Sequence, residues 1–365
     1  MRKLMVLMVA ALFTAASAQD YVFGINFDAG GKFDGSFNEG TWRGLERGIA
    51  NLEAEGLEID LLEFEGTPDT SAQGLRGMSE QGAELIVAPG FAQADAVAAV
   101  SQEFPFTNYV IIDGVVDADN VRSVLFKEHE GSFLVGYLAG LMTRTGTVGF
   151  VGGMDIPLIR NFDFGYQQGV SASCPTCEVV SNYVGTTPAA WNDPARAKEL
   201  ATAQRAQGAD IVYAAAGASG NGVIDFVNET QCFVPSGEVR NVPLNDVTPS
   251  AQYAAACGAD AEPLFFIGVD SNQNPLGDTD NDPTTLNHGL SSMLKRVDVA
   301  AENAAYDVVN GEFTSGISTL GIDEGGVDWA LDEFNEALIP ASIVEQIQGV
   351  RDAIIAGDIV VEQYE

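Results

Sequence analysis

Short β-rich runs alternate with amphipathic helical segments along almost the whole chain, and this alternation limits the possible fold more than any single motif. Runs at Tyr21 to Phe27, Glu58 to Phe64, Glu84 to Ala88, Asn108 to Ile112 and Val121 to Phe126 form one series. A second series occupies Thr147 to Val151, Cys177 to Val184, Asp210 to Ala214 and Leu264 to Val269. A helix between two strands carries the chain back across the sheet, so such strands pair in parallel and the sheet is doubly wound. Two series within 365 residues are more than one simple core accommodates, and a hydrophobic content of 46% is enough for two. The pattern predicts an α/β fold of two doubly wound parallel-sheet lobes.

In such sheets ligands bind beyond the carboxyl ends of the strands. The residues found there are Asp28, Pro89-Gly90-Phe91, Asp113-Gly114, Gly152-Gly153, Gly185-Thr186-Thr187, Gly217 to Gly222 and Asp270 to Gln273. Small, carboxylate and amide side chains at successive strand ends make a polar cleft wall with no basic cluster for a phosphate. The most informative of these turns is Asp28 to Glu39, a glycine-rich acidic link from strand to helix. Ser36 and Glu39 have capping-box spacing, and Trp42, Leu45, Ile49 and Leu52 place one apolar stripe on the helix that follows. Phe37 and Asn38 are then the first residues of that helix and face the cleft.

Arg2 and Lys3, the apolar run Leu4 to Phe13 and the small residues Ala16-Ser17-Ala18 make residues 1–18 a secretory signal peptide. No later stretch is apolar enough to span a bilayer, and no cysteine follows the apolar run to carry a lipid anchor. The expected location is the periplasm or the outer face of the cell envelope. The net charge of −35, from 52 acidic and 17 basic residues, repels nucleic acid and anionic membrane. In an exported chain Cys174, Cys177, Cys232 and Cys257 are read as disulfides. Of the three pairings four cysteines allow, Cys174 with Cys177 and Cys232 with Cys257 is favoured. The stretch from Pro235 to Pro263 reads as an insertion tied by the second of these pairs.

Catalytic and metal motifs are weak. Asp278 to Asp282 begins like a calcium loop, but Pro283 stands where the loop turns on glycine and Gly289 where a bidentate glutamate belongs, so an acidic turn is expected and no metal. His129 and His288 are the only histidines and no G-x-S-x-G elbow is present. Gly217 to Gly222 lacks the spacing of a dinucleotide fingerprint, and no cofactor is expected. Convergent Asp28, Asp113 and Asp270 could serve glycoside hydrolysis, but binding sugar hydroxyls is the more economical role.

Ser36-Phe37-Asn38 after the acidic turn, Phe126 to Ala139, Gly149-Phe-Val-Gly-Gly153, Trp191-Asn-Asp-Pro194, Gly268 to Asn272 and Ser291 to Lys295 together resemble the basic membrane protein family. These are PnrA-like purine nucleoside-binding proteins of ABC transporters. The resemblance runs in order from about Tyr21 to the C-terminal helix. It implies a type I periplasmic-binding-protein fold with three crossings between lobes, one of residues 20–126 and 271–297, the other of 127–270 and 298–365. It also implies a monomeric, non-enzymatic receptor that hands a purine nucleoside to a permease.

By the same resemblance, Phe37 and Trp191 sandwich the base and Asn38 and Asp113 hydrogen-bond it. Asp270 and Lys295 hold ribose hydroxyls, while Asp28, Gly217 and Ser219 complete the ligand shell. Departures from the family pattern are Glu39 in place of glutamine, Trp191 in place of phenylalanine, the cysteine-bounded insertion and the missing lipidation cysteine. The wider ring at Trp191 leaves room for riboflavin or another flat heteroaromatic as an alternative ligand. A secreted nucleoside or glycoside hydrolase is the alternative of another class.

Overall fold

The computed structural model describes residues 20–240, 253, 255–258, 260–282 and 284–364. The expected signal peptide and about half of the expected insertion lie outside them. The chain begins with β1 (Tyr21–Phe27), α1 (Phe37–Ala54), β2 (Ile59–Glu65), α2 (Ser71–Glu80), β3 (Leu85–Pro89), α3 (Ala94–Glu103), β4 (Asn108–Ile112) and β5 (Val121–Phe126). It continues with α4 (Glu128–Met142), β6 (Thr147–Met154), α5 (Pro157–Ser173), β7 (Glu178–Gly185), α6 (Pro194–Ala206), β8 (Ile211–Ala215) and α7 (Gly220–Thr230). A small hairpin of β9 (Cys232–Phe233) and β10 (Glu262–Pro263) precedes β11 (Phe265–Asp270) and β12 (Gly289–Lys295). The described elements end with α8 (Val297–Asn310), β13 (Gly316–Leu320), β14 (Val327–Trp329) and α9 (Ala341–Ile355).

Two six-stranded sheets result, ordered β2-β1-β3-β4-β5-β13 and β7-β6-β8-β11-β12-β14. Pairing is parallel except between β12 and β14. The central strands β3 and β8 are buried along their whole length, as strands covered by helices on both faces must be. In each sheet the order reverses between the first and third strands, and the crevice at such a switch point is where ligands enter. Asp28 and Gly90 mark that point in the first lobe, Gly153 and Gly217 in the second.

The chain crosses between sheets three times, at 126–128, 295–297 and 320–327. Two segments lie in the opposite lobe to the one the sequence suggests. β12 was expected in the first lobe, but its buried side chains extend the second sheet beside β11. α8 and β13 were expected in the second lobe, but β13 pairs with β5, and α8 packs on α1 through small residues. A methyl group on Gly44 would sit 2.0 Å from the Asp298 carbonyl oxygen, so only glycine permits this helix contact. Both disulfides, Cys174–Cys177 and Cys232–Cys257, are formed.

Candidate ligand-binding site

The start of α1 is not held as its sequence suggests. The Ser36 hydroxyl is buried without a hydrogen-bond partner, and the cap is Asp34. Its Oδ1 accepts from the amides of Ser36 (2.9 Å) and Glu39 (3.1 Å), and its Oδ2 from the Asn38 amide (2.9 Å). Glu39 instead accepts from the Gly35 amide at 3.1 Å. A carboxylate binds amide donors more strongly than a hydroxyl, so Asp34 displaces the capping box.

Asn38 then fixes Asp28. Its Nδ2 donates to Asp28 Oδ1 (2.7 Å) and Asp34 Oδ2 (3.0 Å), and its Oδ1 accepts from the Asp28 amide (3.1 Å). Both amide protons are therefore spent, so Asn38 can offer a ligand only acceptor capacity. Asp28 Oδ1 also accepts from the Gly30 amide, while its Oδ2 accepts no hydrogen bond among the described residues. Burial pushes the Asp28 carboxyl up to about 6 against the lowering effect of those hydrogen bonds.

Asp28, Asn38 and Phe37 line a cavity between the lobes. Asp113, Trp191, Gly217, Asp270 and Lys295 line it as well. Asp113, directly after β4, and Asp270, the last residue of β11, have φ of 64° and 62°, a conformation uncommon outside glycine and often found at functional sites. Trp191 lies against Gly153, where an added methyl group would come within 2.4 Å of the indole ring. Ser219 does not line the cavity. Its hydroxyl donates to the Ala190 carbonyl (2.8 Å) and accepts from the Asp193 amide (2.7 Å), pinning the turn that carries Trp191.

Lys295 is buried, and its ammonium lies 2.6 Å from Asp113 Oδ2 and 3.0 Å from Glu128 Oε1. The rings of Phe37, Phe126 and Phe162 surround it at 5.1–5.5 Å. Burial opposes its charge, but Asp113, Glu128 and Asp270 outweigh that and hold the lysine above its ordinary range. Two of its three donors are committed, so one remains for a ligand. Glu128 was not anticipated. It sits at the first crossing, Lys295 at the second, and burial raises the Glu128 carboxyl to about 7 despite the nearby lysine.

Asp270 is the least satisfied group. It is 8% exposed and its carboxyl accepts no hydrogen bond among the described residues. Burial raises it to about 7, with Lys295 pulling the other way. Asp113 Oδ1 is likewise buried and unpartnered. The cavity thus offers acceptors to a ligand rich in donors, between apolar and aromatic walls that include Phe91, Leu158 and Phe162. Phe162 and Leu158 were also missed, because their helical spacing reads equally well as core.

The lobes close directly over this cavity. The Ser271 hydroxyl donates to the Ser36 carbonyl (2.8 Å) and Gln273 Nε2 to the Gly35 carbonyl (3.1 Å). Asn221 reaches the Asp34 carbonyl at 3.4 Å. The polar strand-end residues of the second lobe therefore clasp the loop that builds the first-lobe wall. His129 and His288 are buried and do not line the cavity.

Two doubly wound lobes joined by three crossings around one closed cavity define a periplasmic-type solute-binding protein. The chain belongs to the Bmp family, described as ABC transporter substrate-binding protein PnrA-like, whose profile matches residues 24–237. It is 31% identical over 355 residues to a CD4+ T-cell-stimulating antigen of Listeria monocytogenes, covering 95% of this chain and 89% of that one. It is 30% identical over 338 residues to the ABC transporter nucleoside-binding protein BmpA of Lactococcus lactis, covering 92% and 87%. The crystal structure of an ABC transporter solute-binding protein from Aeropyrum pernix superposes with a TM-score of 0.73 at 28% identity, covering 94% of each chain.

Among the described residues no helix is long and apolar enough to cross a membrane, and no cluster of three or more His, Cys, Asp or Glu side chains could hold a metal ion. Asp278, Asp280 and Asp282 instead accept hydrogen bonds from within their own turn.

Proposed function

We propose that this protein is exported, captures a purine nucleoside between its lobes and delivers it to an ABC permease, with no bond made or broken. The observation that carries this reading is one cavity with Phe37 on the first lobe and Trp191 on the second, floored by Asp113, Asp270 and Lys295. Aromatic rings from both lobes reward closure on a flat base, and stacking contributes on the order of 0.5–1.5 kcal/mol per ring beyond area burial. An ionised carboxylate is acceptor-only, so Asp270 can take both protons of a vicinal diol, and the free N–H of Lys295 can serve a ring nitrogen or hydroxyl. The nucleoside-binding name of the Lactococcus relative supports the same ligand class.

Calorimetric titration of unfolded and refolded, ligand-free protein with adenosine, guanosine and inosine tests this reading. Saturable binding of at least one is expected, and no binding of any would remove the purine assignment. Mass spectrometry of ligand carried through purification gives the identity independently.

A further inference from the structure

The cavity holds more acid than base. Asp28, Asp34, Asp113 and Asp270 line it and Glu128 stands behind Lys295, the one basic side chain among the described residues that line it. Asp34 is occupied by three amides at the start of α1, and Asp28 Oδ1 by Asn38 and the Gly30 amide. The imbalance is greatest at the floor, where the single ammonium of Lys295 faces Asp113, Glu128 and Asp270. Lys295 draws both Glu128 and Asp270 towards ionisation, yet burial and the neighbouring carboxylates hold each of them at about 7. One cation is too little for three buried acids.

Two acceptors of this floor are also open. Asp113 Oδ1 is buried without a partner, and the Asp270 carboxyl accepts no hydrogen bond among the described residues although it is only 8% exposed. Asp113 follows a first-lobe strand and Asp270 ends a second-lobe strand, so open oxygens reach one cavity from both lobes. A ligand hydroxyl has one proton to donate. An ammonium has three, and it brings the charge the floor lacks.

From this surplus of buried, unpartnered carboxylate we propose that the site binds a further class of ligand, purine nucleosides carrying a protonated amine in place of a sugar hydroxyl, and prefers them to the neutral parents. The ammonium donates to Asp270 and to Asp113 Oδ1, while Lys295 keeps Asp113 Oδ2 and Glu128. Two cations then face three carboxylates, so the ligand's charge is met without displacing the lysine, and its hydrogen bonds are stronger than those of a hydroxyl. An amine occupies nearly the same volume as the hydroxyl it replaces, so the exchange needs no additional space. A negative charge at the same end of the ligand is repelled. This inference rests on the purine reading above.

The test is a charge series of nearly constant size, titrated into the refolded protein near neutral pH. Its members are adenosine, the 2′-amino-2′-deoxy, 3′-amino-3′-deoxy and 5′-amino-5′-deoxy analogues of adenosine, and adenosine 5′-carboxylic acid. At least one amine is expected to bind about tenfold or more tightly than adenosine, and the carboxylic acid about tenfold or more weakly. In Asp270→Asn the open carboxylate is gone, and the favoured amine should fall to within about threefold of adenosine. The series on the native protein decides the matter if that variant does not fold.

A smaller gain for all three amines, or none, would overturn the proposal. An amine preference that survives Asp270→Asn undiminished would overturn it too, because the gain would then not come from this carboxylate. Failure of the whole series and of guanosine to bind is a different result and removes the purine reading itself.

Discussion

Lys295 Nζ lies 2.6 Å from Asp113 Oδ2, joining the last residue of a second-lobe strand to the residue that follows a first-lobe strand. The pair sits beside two of the three crossings, with Glu128 as its third member. It is therefore a tie across the hinge as well as part of the cavity floor.

Removing the cation should be severe. Lys295→Met leaves Asp113 and Glu128 buried without a counter-charge, and breaking a buried pair in this way costs about 3–5 kcal/mol. Denaturant unfolding should show that loss, and a change below about 1 kcal/mol would mean the triad is far better solvated than its burial implies. Glu128→Gln should be milder, because burial already favours the uncharged form of that carboxyl.

Binding should weaken in acid through Asp270. The ligand's hydroxyls need the ionised acceptor, and a group at about 7 is mostly protonated at pH 6. Lowering the pH from 8 to 6 should raise Kd by about tenfold, and Asp270→Asn should bind weakly with a flatter profile. Stability of the ligand-free protein runs the opposite way. A carboxyl raised above its unfolded value favours folding below that value, near 4, and loses the contribution as pH rises through about 7. Thermal melts of the empty protein between pH 5 and 8 should show this fall, and Asp270→Asn should reduce it.

The two rings should matter together. Phe37→Ala and Trp191→Ala are each expected to weaken nucleoside binding by about tenfold to a hundredfold, from lost stacking and lost apolar contact. Trp191 fluorescence should change on ligand addition. Retention of full affinity in both variants would place the ligand elsewhere.

The helix cap separates two readings of one turn. Asp34→Ala should cost about 1–2 kcal/mol, the range for a lost cap, and should also release Asn38 and so weaken binding. Ser36→Ala should change stability by less than about 0.5 kcal/mol, because its hydroxyl has no partner to lose. Equal losses in urea unfolding would restore the capping box.

Much of the architecture was legible because it is written in local periods. β1, β4 and β5 fall at the residues their apolar runs mark, and Asp28, Asp113 and Asp270 stand at strand ends where the pattern puts them. The cap was misread for a local reason, since serine and aspartate both cap and only the folded turn shows which reaches the amides. Glu128 lay within a recognisable stretch, yet nothing in its neighbours signals that it meets Lys295.

The sequence by itself determined two parallel-sheet lobes, the polar strand ends and the aromatic residue at the head of α1, because alternation and helical spacing act over a few residues. Tertiary structure alone decided which lobe β12, α8 and β13 join, that Ser219 stands behind Trp191, and that Asp113, Glu128 and Lys295 form one buried triad. Those outcomes depend on contacts between residues as far as 255 positions apart, where packing, desolvation and charge pairing act across the fold and leave no local trace.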